Sequence, residues 1–117
     1  MRKKQSLRIA FKSAFAGIYY CVMHERNMRI HLGAGLVVVF LSWWFTLEKY
    51  EILILLVTVE CVLVAEMINT TVETLVDMIS PQFHPLAKIA KDIAAGTVLI
   101  TAIFSLVVGY VLFFSKL

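Results

Sequence analysis

Residues 52–79 read ILILLVTVECVLVAEMINTTVETLVDMI, and the change along this stretch decides the fold. From Ile52 to Ala65 it is apolar, broken only by Thr58 and Glu60. Glu66, Asn69, Glu73 and Asp77 then enter while apolar residues persist to Ile79, and Ser80 and Pro81 end the run. As a helix the stretch is about 42 Å long at ~1.5 Å per residue, more than the ~30 Å hydrocarbon core of a bilayer. Its last turns therefore leave the membrane or line a wet cavity. At ~100° per residue the four late polar positions fall within an arc of about 80°, so one helix face carries three acids and an amide. Carboxyl groups inside a membrane helix are costly and mark function by default. The plainer reading is a polar seam that holds helices together. Glu60, about 120° from Glu66 on the helix wheel, is expected to hydrogen-bond a neighbouring helix.

Two further spans are expected on either side. Residues 30–47 form a short one with Trp43 and Trp44 as an interfacial aromatic belt at its far end. Residues 93–114 contain no charged side chain, and Gly96 and Gly109 are expected to admit close helix approach. Residues 5–25 repeat apolar side chains at three- and four-residue steps (Leu7, Ala10, Phe11, Ala14, Phe15, Ile18), too few in a row to span. This predicts an amphipathic helix lying on the membrane surface, the alternative being a helix against a soluble core. The fold class is thus an all-α membrane protein, residues 1–117 making one domain. The bulk numbers agree: 61% of the 117 residues are hydrophobic and the mean hydropathy is +0.87, beyond what a soluble domain of this size can hide.

Charge sets the topology. Of eleven basic residues, Arg2, Lys3, Lys4, Arg8, Lys12, Arg26 and Arg29 precede residue 30, and Lys88 and Lys91 lie in the connection between the second and third spans. Two spans separate these regions, so they share a side, and the positive-inside rule makes it cytoplasmic. The rest of the chain is too apolar to present a basic groove, so no nucleic-acid partner is expected. Cys21 and Cys61 have no metal-binding spacing and read as small buried side chains. No secretory signal is expected, since no small-residue cleavage site follows the first apolar run.

The acidic face suits phosphoryl transfer. That chemistry needs a metal across the phosphates, a cation near the transferred group and a residue to accept the hydroxyl proton. Glu66 lies about 21 Å from Ile52 and Glu73 about 10 Å further, so Glu66 sits just inside the apolar region and Glu73 near the headgroups. Mg²⁺ prefers carboxylate oxygens; Glu73 with a second acid can hold it. Glu66, deeper and less hydrated, suits proton acceptance. Lys91 is placed to face phosphates. Glu25, in the His24-Glu25-Arg26 run, is a candidate second metal ligand or a solvated charge; the run is not a zinc HExxH, since the next histidine is His31. His84, before Pro85, reads as a loop hydrogen-bonder. No GxxxxGK[ST] or GxGxxG motif and no protein-kinase motif set occurs.

The stretch Glu66-Met67-Ile68-Asn69-Thr70-Thr71-Val72-Glu73-Thr74-Leu75-Val76-Asp77 resembles the signature E-x-x-N-(S/T)-x-(I/V)-E-x-x-V-D of the small prokaryotic integral-membrane diacylglycerol kinases. The likeness continues through His84 to Lys91-Asp92 and covers nearly the whole chain. Residues 84–96, and Glu25-Arg26-Asn27 with Arg29-Ile30-His31, look like the Gram-positive undecaprenol kinase branch. The resemblance implies a homotrimer in the bacterial cytoplasmic membrane, with composite sites between subunits. It implies ATP as phosphate donor, a lipid alcohol as acceptor, and Mg²⁺ or another divalent metal as cofactor. It makes Glu66 the general base beside the lipid hydroxyl and Glu25 and Glu73 the metal-binding acids at the nucleotide. It also places Gln82, Phe83, His84, Lys91 and Asp92 at ATP, with Asn69 and Asp77 in support. Diacylglycerol-specific members differ: an ungapped alignment puts their Tyr at Ser13, their Trp at Phe15 and a third-helix Ser at Ala95, and Arg8 misses the family's early Arg. Undecaprenol is therefore the expected acceptor and diacylglycerol the alternative. A non-enzymatic transporter or pore accounts for Glu66 and Glu60 but not for Lys91-Asp92 at the membrane edge.

Overall fold

The structure, a computed structural model, describes residues 6–117. Arg2, Lys3 and Lys4 of the basic cluster, and Gln5, the first residue of the expected surface helix, lie outside the described residues. The described chain is all helical: α1 (Leu7–His24), α2 (Arg26–Trp44), α3 (Lys49–Ile79) and α4 (Pro85–Phe114). Ser6 starts α1, its hydroxyl accepting from Ile9 N–H at 3.3 Å. Leu7, Phe11 and Phe15 then project from α1 with most of their surface uncovered, and the helix touches the rest of the chain only near its end, where Cys21 is buried.

Glu25 closes α1 and opens α2 with extended backbone. Arg29 fixes this corner: its Nη1 donates to the carbonyls of Val22 at 2.9 Å and Met23 at 3.0 Å, two of the acceptors a helix end leaves without partners. α2 approaches α3 most closely at buried Gly35, where an added Cβ would stand 3.0 Å from Val59 Cγ1. The close approach expected at Gly96 and Gly109 does not occur within this chain, because both face open space with nothing within 4 Å of an added Cβ.

Thr46 adopts a positive φ of 51° in the turn after α2. Glu48 and Glu51 then form a reciprocal capping box, Glu48 N–H donating to Glu51 Oε1 at 2.9 Å. That cap begins α3 at Lys49 and leaves residues 45–47 in the turn. α4 begins at Pro85, before the apolar run, because proline fits the first helical turn and His84 Nδ1 accepts from Leu86 N–H at 3.1 Å. α3 and α4 make the longest contact. At their outer ends Leu47, Leu55 and Leu112 form a small core, with Phe45 and Phe113 packed edge to face against it. Glu51 and Lys116 pair there at 3.1 Å.

Large apolar side chains face outward along α2, α3 and α4, the reverse of a soluble domain. Hydroxyls on α3 and α4 are satisfied by their own helices: Thr58 donates to Ile54 O at 2.8 Å, Thr101 to Val98 O at 2.8 Å and Ser105 to Ala102 O at 2.6 Å, as hydrocarbon surroundings require. Among the described residues α4 alone is long and apolar enough by composition to cross a membrane. α2 and α3 have 19 and 31 residues, about 28 and 46 Å, but carry charged residues.

Two measurements check this packing. Gly35→Val forces α2 from α3 and should lower stability by about 1–3 kcal/mol; adding Val59→Ala should recover part of the loss, read as helicity in a denaturing-detergent titration. Second, the Glu48 N–H and then Lys116 hold the Glu51 carboxyl below the usual carboxylate range. A lowered folded value means that the stabilisation is full above the ordinary range and lost as pH falls through the lowered one. Melting temperature in detergent should therefore fall less on acidification from about pH 7 to about pH 3 in Glu51→Gln than in the parent.

Candidate functional site

The inner half of α3 carries the polar face toward its own neighbours. Glu66 is 1% exposed. His31 of α2 brings Nε2 to 3.5 Å from Glu66 Oε2, within ion-pair reach but long for a hydrogen bond. That oxygen has no hydrogen-bond partner, and neither does buried Asn69 Oδ1. A buried acceptor without a partner costs about 1–3 kcal/mol, so a donor or a cation within reach of either oxygen is favourable. Asn69 Nδ2 donates to Glu73 Oε1 at 2.9 Å, locking these side chains one turn apart. Thr70 donates to the Glu66 carbonyl at 3.0 Å. Glu25, held at the α1–α2 corner, and Glu73 both lie close enough for their charges to bear on Glu66.

Further along the same face, Asp77 pairs with Lys91 of α4. The hydrogen bond to Asp77 holds the Lys91 ammonium above its usual range, so Lys91 stays charged at neutral pH. One turn before it, Lys88 reaches Asp92 at 2.6 Å. These residues line an open concavity of about 370 Å³ together with Gln82, Phe83 and His84. The sequence-derived nucleotide residues of the α3–α4 connection therefore share one surface. Lys91 lies across it bound to Asp77, not pointing freely outward. His84 spends Nδ1 on the α4 cap and leaves its other ring nitrogen free of any hydrogen bond among the described residues.

A second, apolar cleft of about 280 Å³ runs between α2, α3 and α4. It extends from His31, beside Glu66, past Gly35, Val62 and Leu106 to Phe113 at the other end of the bundle.

Three points depart from the sequence reading. Glu60 is exposed and has no interhelical partner among the described residues; its one contact is Cys61 Sγ at 3.8 Å, on its own helix. Cys61 is likewise exposed, because it lies beside Glu60 on the side of α3 away from α2 and α4. The sequence reading also passed over His31 and Lys88. His31 was visible as an ionisable residue at the start of an apolar run. Lys88 was visible only as one more basic residue on a helix's first turn.

Among the described residues no three acids, histidines or cysteines gather into a closed metal cage. The donors that do meet, Glu73 and the Asn69 amide bound to it, offer hard oxygens, Asn69 Oδ1 having no hydrogen-bond partner among the described residues. A magnesium ion that keeps phosphate and water ligands needs only one or two carboxylates of this kind, so the residues fit such an ion.

Glu66 is thus buried beside His31, which stands at one end of an apolar cleft, and a separate open concavity carries Lys88 and Lys91 with Asp77 and Asp92. The profile described as prokaryotic diacylglycerol kinase matches residues 12–113. A diacylglycerol kinase from Synechocystis is 39% identical over 105 residues, covering 89% of this chain and 60% of the relative. An undecaprenol kinase from Bacillus subtilis is 35% identical over 108 residues, covering 92% of this chain and 88% of the relative. A diacylglycerol kinase from Escherichia coli K12 is 26% identical over 102 residues, covering 87% and 84%. The chain belongs to the prokaryotic diacylglycerol kinase family, a family of integral-membrane lipid kinases. It spans about 60% of the length of the Synechocystis relative.

The concavity makes one prediction. Lys91→Met should weaken binding of a fluorescent ATP analogue by about ten- to a hundredfold, the loss of a charged hydrogen bond worth roughly 1.5–3 kcal/mol. Asp77→Asn frees Lys91 without removing its charge and should weaken binding far less.

Proposed function

We propose that this chain transfers the γ-phosphate of ATP to the hydroxyl of undecaprenol, giving undecaprenyl phosphate for cell-wall synthesis. The observation that carries the reading is the buried Glu66 carboxyl, with an unpartnered oxygen, beside the His31 that lines one end of the apolar cleft. A long prenyl chain lies in that cleft with its hydroxyl at Glu66. Glu66 takes the hydroxyl proton, the alcohol oxygen bonds to the γ-phosphorus, and the bond to the bridging oxygen breaks to release ADP. Lys91 and Lys88 face the phosphates, and Asp92, Gln82, Phe83 and His84 border the nucleotide. Glu25 and Glu73 hold Mg²⁺, which when bound neutralises phosphate charge. Asn69 fixes the Glu73 rotamer through its amide, and Asp77 restrains Lys91. α2, α3 and α4 cross the bacterial cytoplasmic membrane with the amino terminus and the α3–α4 connection inside. α1 lies along the surface with its apolar side in the headgroup boundary. The working unit is a homotrimer, in which a neighbouring subunit closes a site that is open in one chain.

The preference for undecaprenol is supported by the Bacillus relative, which matches across most of both chains. Diacylglycerol remains the second reading, favoured by the 39% identity to the Synechocystis relative. Transfer of ³²P from labelled ATP to each alcohol in mixed micelles decides between them: faster labelling of undecaprenol is expected, and faster labelling of diacylglycerol overturns the assignment. In the same assay Glu66→Gln should lower kcat by at least about a hundredfold with ATP affinity little changed, whereas Glu73→Gln should also raise the Mg²⁺ concentration needed for half-maximal rate. Equal effects of both substitutions on both quantities contradict the roles given.

A further inference from the structure

A carboxylate that takes a proton from an alcohol must lose it again before the next turnover. Glu66 is 1% exposed, so it meets almost no solvent itself. Among the described residues His31 is the one basic side chain within ion-pair reach, its Nε2 standing 3.5 Å from Glu66 Oε2. That gap exceeds a normal N–H···O bond by about 0.3 Å, and contacts of this kind tighten when substrate is bound. The His31 side chain is 22% exposed, and it lies five residues beyond Arg26, where α2 begins. That is about 8 Å along the helix, at the end that the proposed topology makes cytoplasmic. Other titratable groups face Glu66 as well. Glu25 at the α1–α2 corner and Glu73 on α3 bear on it with like charge. Cys21 comes from α1, and burial pushes its thiol up, so it keeps its own proton at neutral pH and takes no second one. From α4 no charged residue lies between Ile93 and Phe114, Tyr110 stands farther along the cleft, and Lys91 is bound to Asp77. Imidazole is the base among these groups that outcompetes a carboxylate for a proton, by roughly two pH units at ordinary values.

We propose that His31 receives the proton that Glu66 takes from the acceptor alcohol and so returns Glu66 to its carboxylate form. The alcohol O–H bond breaks as an O–H bond forms on Glu66. That bond then breaks as an N–H bond forms on His31 Nε2, leaving a carboxylate beside an imidazolium. The imidazolium gives its second proton to water and becomes neutral again, so no charge is left behind after a turnover. The step needs the neutral tautomer that carries its hydrogen on Nδ1 and presents a bare Nε2 to Glu66. His31 touches the reacting atoms only through Glu66 and is therefore a positioning residue. The inference rests on the reaction proposed above and adds the route by which its proton leaves.

The pH dependence of transfer in mixed micelles tests it. The parent should lose kcat on acidification through the histidine range, about pH 6–7. His31→Gln, which keeps a polar side chain but holds no proton, should lower kcat by about tenfold or more. Its KM for the alcohol and its ATP affinity should stay near the parental values, and its loss of rate in the histidine range should disappear. A second measurement needs neither ATP nor alcohol. In the full chain with ¹⁵N-labelled histidine in detergent, Glu66→Gln should move the titration of the His31 ring by about half a pH unit or more, while His24 and His84 titrate as before. Parental kcat and pH profile in His31→Gln, a loss confined to KM, or a His31 titration that ignores Glu66→Gln overturns the inference. Coupled titration in a chain that labels neither alcohol leaves the His31–Glu66 pair standing and removes the proposed reaction. Transfer without coupled titration leaves the reaction and removes the pair.

Discussion

A carboxyl group taken out of water must find a charge, a hydrogen-bond donor or a proton, and α3 places such groups along a helix that is otherwise built for oil. Most of the surrounding arrangement answers that demand. His31 stands against Glu66 from α2, Asn69 turns its amide to Glu73, and Lys91 comes from α4 to Asp77. Each partner belongs to a different place in the chain, so the polar face of α3 determines which helices lie beside it. The demand is not met everywhere. One oxygen of Glu66 and one of Asn69 are buried with no hydrogen-bond partner among the described residues.

The two ends of the α3–α4 pair are built differently. At the outer end a capping box, an ion pair and a small apolar core tie the helices tightly together. At the inner end the chain turns through Ser80–His84, an exposed stretch, and the cross-links are exposed ion pairs, which contribute little to stability. Tight packing at one end lets the other remain open without loss of the fold. Open, solvated ion pairs can also exchange partners when a polyanion enters, since what they give up is small.

The elements legible in the sequence were those governed by periodicity and by charge. The strip Glu66, Asn69, Glu73 and Asp77 needed only the helical repeat, and on that face the structure buries Glu66 and Asn69, half-buries Glu73 and exposes Asp77. The helix starts were less legible because they depend on caps. Pro85 and the His84 ring extend α4 beyond its apolar run, and the Glu48–Glu51 box places the start of α3. Glycine positions misled, since a glycine marks a close approach only if another helix lies opposite it; Gly35 meets Val59, and Gly96 and Gly109 meet nothing in this chain. The α1–α2 corner at Glu25 was not legible in the sequence, because it depends on Arg29 reaching two backbone carbonyls.

Glu60 and Glu66 show how position on a helix, not residue type, assigns a role. They are six residues apart on one helix, share the same chemistry, and differ by about 120° in direction. Glu66 turns toward His31 of α2 and is 1% exposed. Glu60 turns outward, where no cleft, nucleotide surface or charged neighbour reaches it. Position on α3 thus gives two acids of the same chemistry opposite surroundings, one buried against His31 and one exposed on another face of the helix.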